Sequence, residues 1–427
     1  MTDGIRSYLK HLGMLSGSVW AYFVAVFLMG VGQAIFRVLR NQYVVDLGMG
    51  EQGYTRIQGF NSIGGLVIAL VAVGIIGRFK ARPLLVGIAV LNFAGFAAQA
   101  MWGSVEVFFG AAFAAGIAMS LNAAMGAPFL MRNTGAKERI FAFSFQAVVG
   151  WPLAGVVGSW LAGVLQSSAE AFAQGGAEFW GAASEPRLFG YRVALMAAAI
   201  CMAAALVPIA MIRRDEHSTD GQSFRQLMRF HDKKRLFLIS FPEAIVGFGA
   251  GLTIPFFNVY FKEVWSLEPK QVALVFTAMM AVGVFSFLLA PALVKRFGQL
   301  KVIIGAQILS LPFFVELALG HVLWMAIVAF ILRNNLMNLA QPVLKQFAQE
   351  VSDPRDRNAV AVTVHTSRHA AWTLANFVAG YLIAAASGGF EIVIYTTIGC
   401  YVVAIIAEAI VFPRLARDKP AASQAGQ

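Results

Sequence analysis

Apolar residues run through this chain in long blocks separated by short polar breaks, as in Val19 to Phe36, Pro83 to Trp102, Val193 to Ile212 and Val302 to Leu319. Each block approaches the ~20 residues an α-helix needs to cross ~30 Å of hydrocarbon. Backbone amides in lipid have no water to bond, so such blocks predict helices. The pattern predicts an all-α membrane protein with twelve spans, near residues 17–46, 54–77, 83–102, 105–132, 138–166, 189–212, 236–262, 270–294, 299–319, 322–349, 358–385 and 389–412. Six fall in each half.

The halves resemble each other. Gly30-Val31-Gly32 followed by Asn41-Gln42-Tyr43 returns as Gly247-Phe248-Gly249 followed by Asn258-Val259-Tyr260, with the same spacing from second glycine to asparagine. Further on, Arg78-Phe79 pairs with Arg296-Phe297 and Gly87 with Gly305. A direct repeat through membrane segments predicts two pseudo-symmetric six-helix bundles, and the cleft between such bundles is where secondary transporters hold substrate.

Composition agrees with the pattern: 59% of residues are hydrophobic and 13% charged, against about 25% charged in a soluble domain. The first span follows Arg6 and Lys10, but its length and the spans behind it predict a retained helix rather than a cleaved signal. Cys201 and Cys400 fall in the sixth and twelfth spans, where small apolar packing accounts for them.

The net charge of +11 reads as topology. With a cytoplasmic N-terminus, 24 of the 33 Lys and Arg lie in inner segments, five in outer segments (Arg56, Arg187, Arg192, Lys262 and Lys270) and four within spans. This asymmetry predicts both termini in the cytoplasm, and short loops between spans fit a bacterial inner membrane. The basic charge then answers anionic headgroups rather than nucleic acid.

These breaks predict an N-terminal bundle at 1–212, a central cytoplasmic loop at 213–235, a C-terminal bundle at 236–413 and a flexible tail at 414–427. A second break at 166–190 carries Phe172, Phe179 and Trp180, which suit either an interfacial segment or a solvated loop.

Two basic loops sharpen the picture. One reads Gly74-Ile75-Ile76-Gly77-Arg78-Phe79-Lys80-Ala81-Arg82, the other Pro291-Ala292-Leu293-Val294-Lys295-Arg296-Phe297-Gly298-Gln299. With the six-plus-six pattern and the central loop, they resemble the major facilitator superfamily over nearly the whole chain. That family's loop motif runs roughly Gly-x-x-x-Asp-Arg-x-Gly-Arg-Arg/Lys; here the arginine is kept in both copies, and Gly77 and Lys295 replace the acid. The resemblance implies gating roles for Arg78, Arg82, Arg296 and Lys301, while the missing acids remove the group that latches the family's outward-facing state. A partial echo, Lys137-Glu138-Arg139 against Arg355-Asp356-Arg357, is accounted for by acids capping helix N-termini. Gly150 to Gly158 in span five faintly resembles an exporter motif but lacks its Gly-Pro pairs, and close helix packing explains it.

Charges at bilayer depth each cost about 2.5–3.5 kcal/mol and mark function. Arg333 and Arg368 fall near the midplane, with Arg37 and Arg40 in the outer half of span one. The resemblance places Arg37, Arg333 and Arg368 on the central cavity. Guanidinium forks suit carboxylate or phosphate, so an anionic substrate is expected, with Arg333 foremost. Gln33, Asn122, Asn258, Asn334 and Asn338 can add hydrogen bonds or serve as glue between helices, and Gln341 extends the Asn334–Asn338 stripe. Glu243, His365 and His369 are candidates for proton coupling, Glu243 equally for an ion pair with arginine; metal ligation by the two histidines lacks further ligands.

The expected function is a secondary transporter of a small organic or amphipathic anion, driven by a proton or other gradient and acting as a monomer without cofactor. A multidrug exporter and a non-transporting receptor are the alternatives. A membrane enzyme is disfavoured, since no nucleophile-base-orienter set accompanies the histidines.

Overall fold

The computed structural model describes residues 15–78, 80–135, 142–143, 145–175, 185–212, 232–320, 322–352, 356–385 and 389–418. Among them the protein is helical throughout, and the expected twelve spans are present. In chain order the helices are α1 (Gly17–Asp46), α2 (Gly50–Arg78), α3 (Ala81–Met101), α4 (Val105–Asn133), α5 (Ala154–Gln174), α6 (Pro186–Ala204), α7 (Leu206–Met211), α8 (Lys233–Thr253), α9 (Phe257–Glu263), α10 (Pro269–Phe297), α11 (Gln299–Leu319), α12 (Leu323–Glu350), α13 (Arg357–Ala385) and α14 (Gly389–Arg417). Ten spans are long and apolar enough to cross a membrane among the described residues; α2 and α13 are not in that group. The α13 helix is the one that carries His365, Arg368 and His369.

Fourteen helices build twelve spans because proline and chain geometry interrupt two of them. The sixth is α6 plus α7, offset at Ala205, with Pro208 in the second piece. The seventh is α8 and α9, joined by a 3-10 turn at Ile254–Phe256 that contains Pro255. Proline lacks the N–H and clashes with the carbonyl four residues back, so the α-ladder breaks there. The same chemistry gives the fifth span a π-turn at Val149–Leu153 around Pro152, directly ahead of α5. That span runs on to Gln174, beyond the expected end at 166 and into the expected loop, and leaves Phe172 exposed; Phe179 and Trp180, like Glu138 and the 213–231 stretch, lie outside the described residues.

Contacts divide the chain into two compact units, one of Met1–Gly48, Ile63–Gly221 and Leu267–Met280, the other of Met49–Ser62, Gln222–Ser266 and Ala281–Gln427. In the first unit α1 packs on α5 and α6, and α3 on α4 and α6. In the second, α8 packs on α13 and α14, and α11 on α12 and α14. Each unit thus repeats one packing scheme, in which the repeated glycines have matching work. A Cβ on Gly30 would meet Ala154 and the Gly150 carbonyl of the fifth span, and one on Gly32 the Ala198 carbonyl of the sixth. Correspondingly, Gly247 abuts the backbone of Arg368 in the eleventh span, and Gly249 abuts Cys400 and Tyr401 in the twelfth. Small residues let helices close without a hydrophobic driving force between them.

The repeated tyrosines also tie helices together. Tyr43 Oη accepts from Arg192 Nε at 3.3 Å, and Tyr260 Oη donates to the Leu317 carbonyl at 2.8 Å.

Helix ends near the second unit's polar residues are fixed by side chains. Asp232 caps α8 by accepting from the Arg235 amide at 2.9 Å. Asp356, the acid of the Arg355-Asp356-Arg357 echo, accepts from the Asp232 amide at 3.2 Å, so it ties two helix starts together and does more than cap its own. The α11 helix stops at Gly320, whose φ of 58° is left-handed and free of strain only for glycine.

Candidate functional site

Polar chemistry in the second unit converges where α8, α12 and α13 meet. From α13, Arg368 Nη1 forms an ion pair with Glu243 Oε2 of α8 at 3.0 Å and also donates to Gln341 Oε1 of α12. The local fold dictates this meeting. Gly247, one turn after Glu243 on the same face of α8, has no side chain and seats the Arg368 backbone against the helix. From there the guanidinium reaches back one turn to the carboxylate. Glu243 is buried, with 3% of its side chain exposed, while Arg368 keeps 22%.

Around Arg368 stand a second cation and two imidazoles. Lys345, His365 and His369 lie within electrostatic reach of it, and all three are exposed. The two imidazoles, one turn apart on α13, stack with centroids 4.2 Å apart. Glu243 is the carboxylate paired with Arg368 in this cluster. The arrangement offers an anion a forked guanidinium, an ammonium and imidazole donors on two adjacent helices. Among the described residues no group of three or more His, Cys, Asp or Glu is placed to hold a metal.

The sequence expectations separate into three environments. Arg368, His365, His369 and Glu243 come together, as above. Arg333 lies elsewhere in the second unit and is closed off, 1% exposed, its guanidinium carbon 4.1 Å from the Phe314 ring centroid and its Nη2 donating to Tyr401 Oη at 2.8 Å. Two aromatic faces therefore occupy the space that a substrate carboxylate would need. Arg37 sits in the first unit, half-buried, 4.2 Å above the ring of Trp151 on the π-turn. Trp151 remains 44% exposed, so that pair has an open side.

Of the amides, Gln33, Asn122, Asn334 and Asn338 are half-buried, and Asn258 is buried with its Oδ1 accepting from the Val259 amide at 3.0 Å. Of the loop basic residues, Arg82 is half-buried, Arg296 and Lys301 are exposed, and the Arg78 side chain lies outside the described residues.

Sequence reasoning missed Lys345, counting it only among the basic residues of the inner face although it falls within the expected tenth span at 322–349. Asn334, Asn338, Gln341 and Lys345 recur at helical spacing, so extending the stripe by one turn would have reached it. It also missed Phe314 and Tyr401, for which spacing gives no signal.

The family model described as the Major Facilitator Superfamily matches residues 236–427, the half that holds this cluster. The C-terminal part of the chain is thus similar to the major facilitator superfamily. The superfamily fold extends over the rest of the chain. A bacterial homologue of the human lysosomal transporter Spinster, inward-facing and unoccupied, superposes with a TM-score of 0.73 at 13% identity, over 95% of this chain and 98% of that one. The nucleoside transporter NupG gives 0.73 at 13%, over 93% and 99%, and a D-xylose-proton symporter 0.69 at 15%, over 95% and 99%. No curated protein matches the chain by sequence. The helices thus share their fold with solved membrane transporters. These counterparts, named for different solutes, leave the choice of any substrate to the chain's own residues.

Proposed function

We propose that this protein is a membrane transporter rather than an enzyme and moves a small organic anion by alternating access, driven by a proton or ion gradient, with Arg368 as the charge that meets the substrate. The observation that carries the reading is the set of groups around Arg368: a second cation, Lys345, and the imidazole donors His365 and His369 are exposed beside it, and the carboxylate paired with it is Glu243. Desolvated positive charge at membrane depth is expensive unless an anion answers it. Glu243 holds Arg368 in place while the site is empty, and a substrate carboxylate or phosphate competes for the same fork.

Within the first unit taken by itself, the open face of Trp151 under Arg37 suits the apolar part of an amphipathic molecule. Lys and Arg placement supports both termini in the cytoplasm of a bacterial inner membrane.

Thermal melts of the purified protein against organic acids, phosphate esters, sugars and cationic drugs test the reading. Ligand at ~100 times its dissociation constant stabilises by about 2.7 kcal/mol. Stabilisation by an anion is expected in wild type and absent in Arg368→Ala, with partial recovery in Arg368→Lys. Stabilisation by cations or sugars alone would refute the assignment and favour the exporter.

A further inference from the structure

Among the described residues, the most deeply buried acid of the second unit is one that the anion site does not use. Glu408 on α14 is 0% exposed, and among the described residues neither of its carboxyl oxygens has a hydrogen-bond partner. Beside it lies Gln307 of α11, 1% exposed, whose amide is the side chain within hydrogen-bonding influence of the Glu408 carboxyl while neither of its polar atoms reaches full hydrogen-bond geometry with any described group. Charged groups within electrostatic reach are Glu243 from α8 and Arg368 from α13; α11 contributes the uncharged Gln307. Buried polar atoms are nearly always paired, so four orphaned atoms on two adjacent side chains call for a reason.

We propose that Glu408 is the proton-binding group of the C-terminal half, with Gln307 as its partner in both protonation states. The amide suits that role because it is both donor and acceptor. The neutral acid donates its O–H to Gln307 Oε1. Ionisation gives one proton to water and leaves a carboxylate, which accepts from Gln307 Nε2 after the amide turns over. A lysine in that place, a donor only, would serve the ionised state alone.

The consequence reaches the anion site, and this step rests on the function proposed above. An ionised Glu408 adds a second negative charge to that of Glu243 within reach of Arg368. Less positive potential then remains for the substrate. Proton and anion binding therefore favour each other, a coupling that is reciprocal by linkage, and the two move together.

Infrared absorption of the purified protein in liposomes, titrated from acid to alkaline pH without substrate, tests the proposal. Wild type is expected to show a protonated-carboxyl band that disappears on titration, is missing in Glu408→Gln, persists in Glu243→Gln and moves in frequency in Gln307→Leu. Glu408→Asp, which keeps the acid, guards against a folding defect by retaining a shifted band. An unchanged band in Glu408→Gln overturns the assignment of the site, and an unmoved band in Gln307→Leu overturns the amide's role.

The link to the anion site has its own readout. The Glu243 carboxylate absorption, identified by its loss in Glu243→Gln, should shift during the wild-type titration and stay fixed in Glu408→Gln. If it stays fixed in wild type, the coupling fails. Because no substrate is added, rejection of the anion reading by thermal melts leaves this test intact.

Discussion

The 3.0 Å ion pair between Glu243 and Arg368 is lopsided: the carboxylate end is 3% exposed and the guanidinium end 22%. Removing one partner from a buried pair is costly because the other is left uncompensated. Arg368→Ala strands an enclosed carboxylate and should destabilise by about 3–5 kcal/mol. Glu243→Ala leaves a guanidinium that can turn toward water, and about 1–2 kcal/mol is expected after that screening. Melting of both variants in detergent decides the matter; an equal loss, or a greater one for Glu243→Ala, would contradict the asymmetry.

Gly247 should be intolerant of side chains for a reason tied to Arg368. An added Cβ meets the Arg368 carbonyl and side-chain stem, so Gly247→Val forces α8 and α13 apart, at about 1–3 kcal/mol. Gly399→Ala, where an added Cβ meets nothing within 4 Å, is the control and should melt as wild type. Anion affinity should fall with Gly247→Val and hold with Gly399→Ala.

Arg333 and Arg368 should separate by experiment. Tyr401→Phe removes the hydrogen bond to the enclosed Arg333 guanidinium and should destabilise by about 1.5–3 kcal/mol. Because Arg333 is sealed by Phe314 and Tyr401, the affinity of whatever anion stabilises wild type should change less than about threefold, under 0.7 kcal/mol. A tenfold loss of affinity in Tyr401→Phe without loss of stability would return Arg333 to the binding site.

In the first unit, Arg187 Nε lies 3.1 Å from Asp46 and its Nη2 lies 3.3 Å from Glu268, with 39%, 21% and 62% of the three side chains exposed. Water and salt screen such contacts. Arg187→Gln should cost no more than about 1 kcal/mol, and the difference from wild type should vanish in high salt. A salt-independent loss of several kcal/mol would show the cluster to be buried in the working protein.

Span number, helical character and the twofold repetition were legible in the sequence, because lipid leaves the backbone no alternative to the helix and apolar run length is a direct measure of bilayer thickness. The Gly30 and Gly247 motifs announced themselves for the same local reason: a helix contact that excludes Cβ leaves glycine at fixed spacing.

The charged residues were legible only as a list. Arg37, Arg333 and Arg368 look alike in sequence, since each carries the same cost of burial whatever surrounds it. Packing alone set Arg333 between Phe314 and Tyr401, Arg37 over Trp151 and Arg368 against Glu243, in each case through side chains 65 or more residues distant or on another span. Lys345 joined Arg368 because α12 and α13 pack side by side, and Glu408 met Gln307 because α14 lies along α11. The sequence determined helices and repeats because those follow from short-range sterics and transfer from water to lipid. Which charges face an anion, a ring or a neutral amide was decided by the tertiary structure, since electrostatic partnership depends on distances between spans that no spacing along the chain encodes.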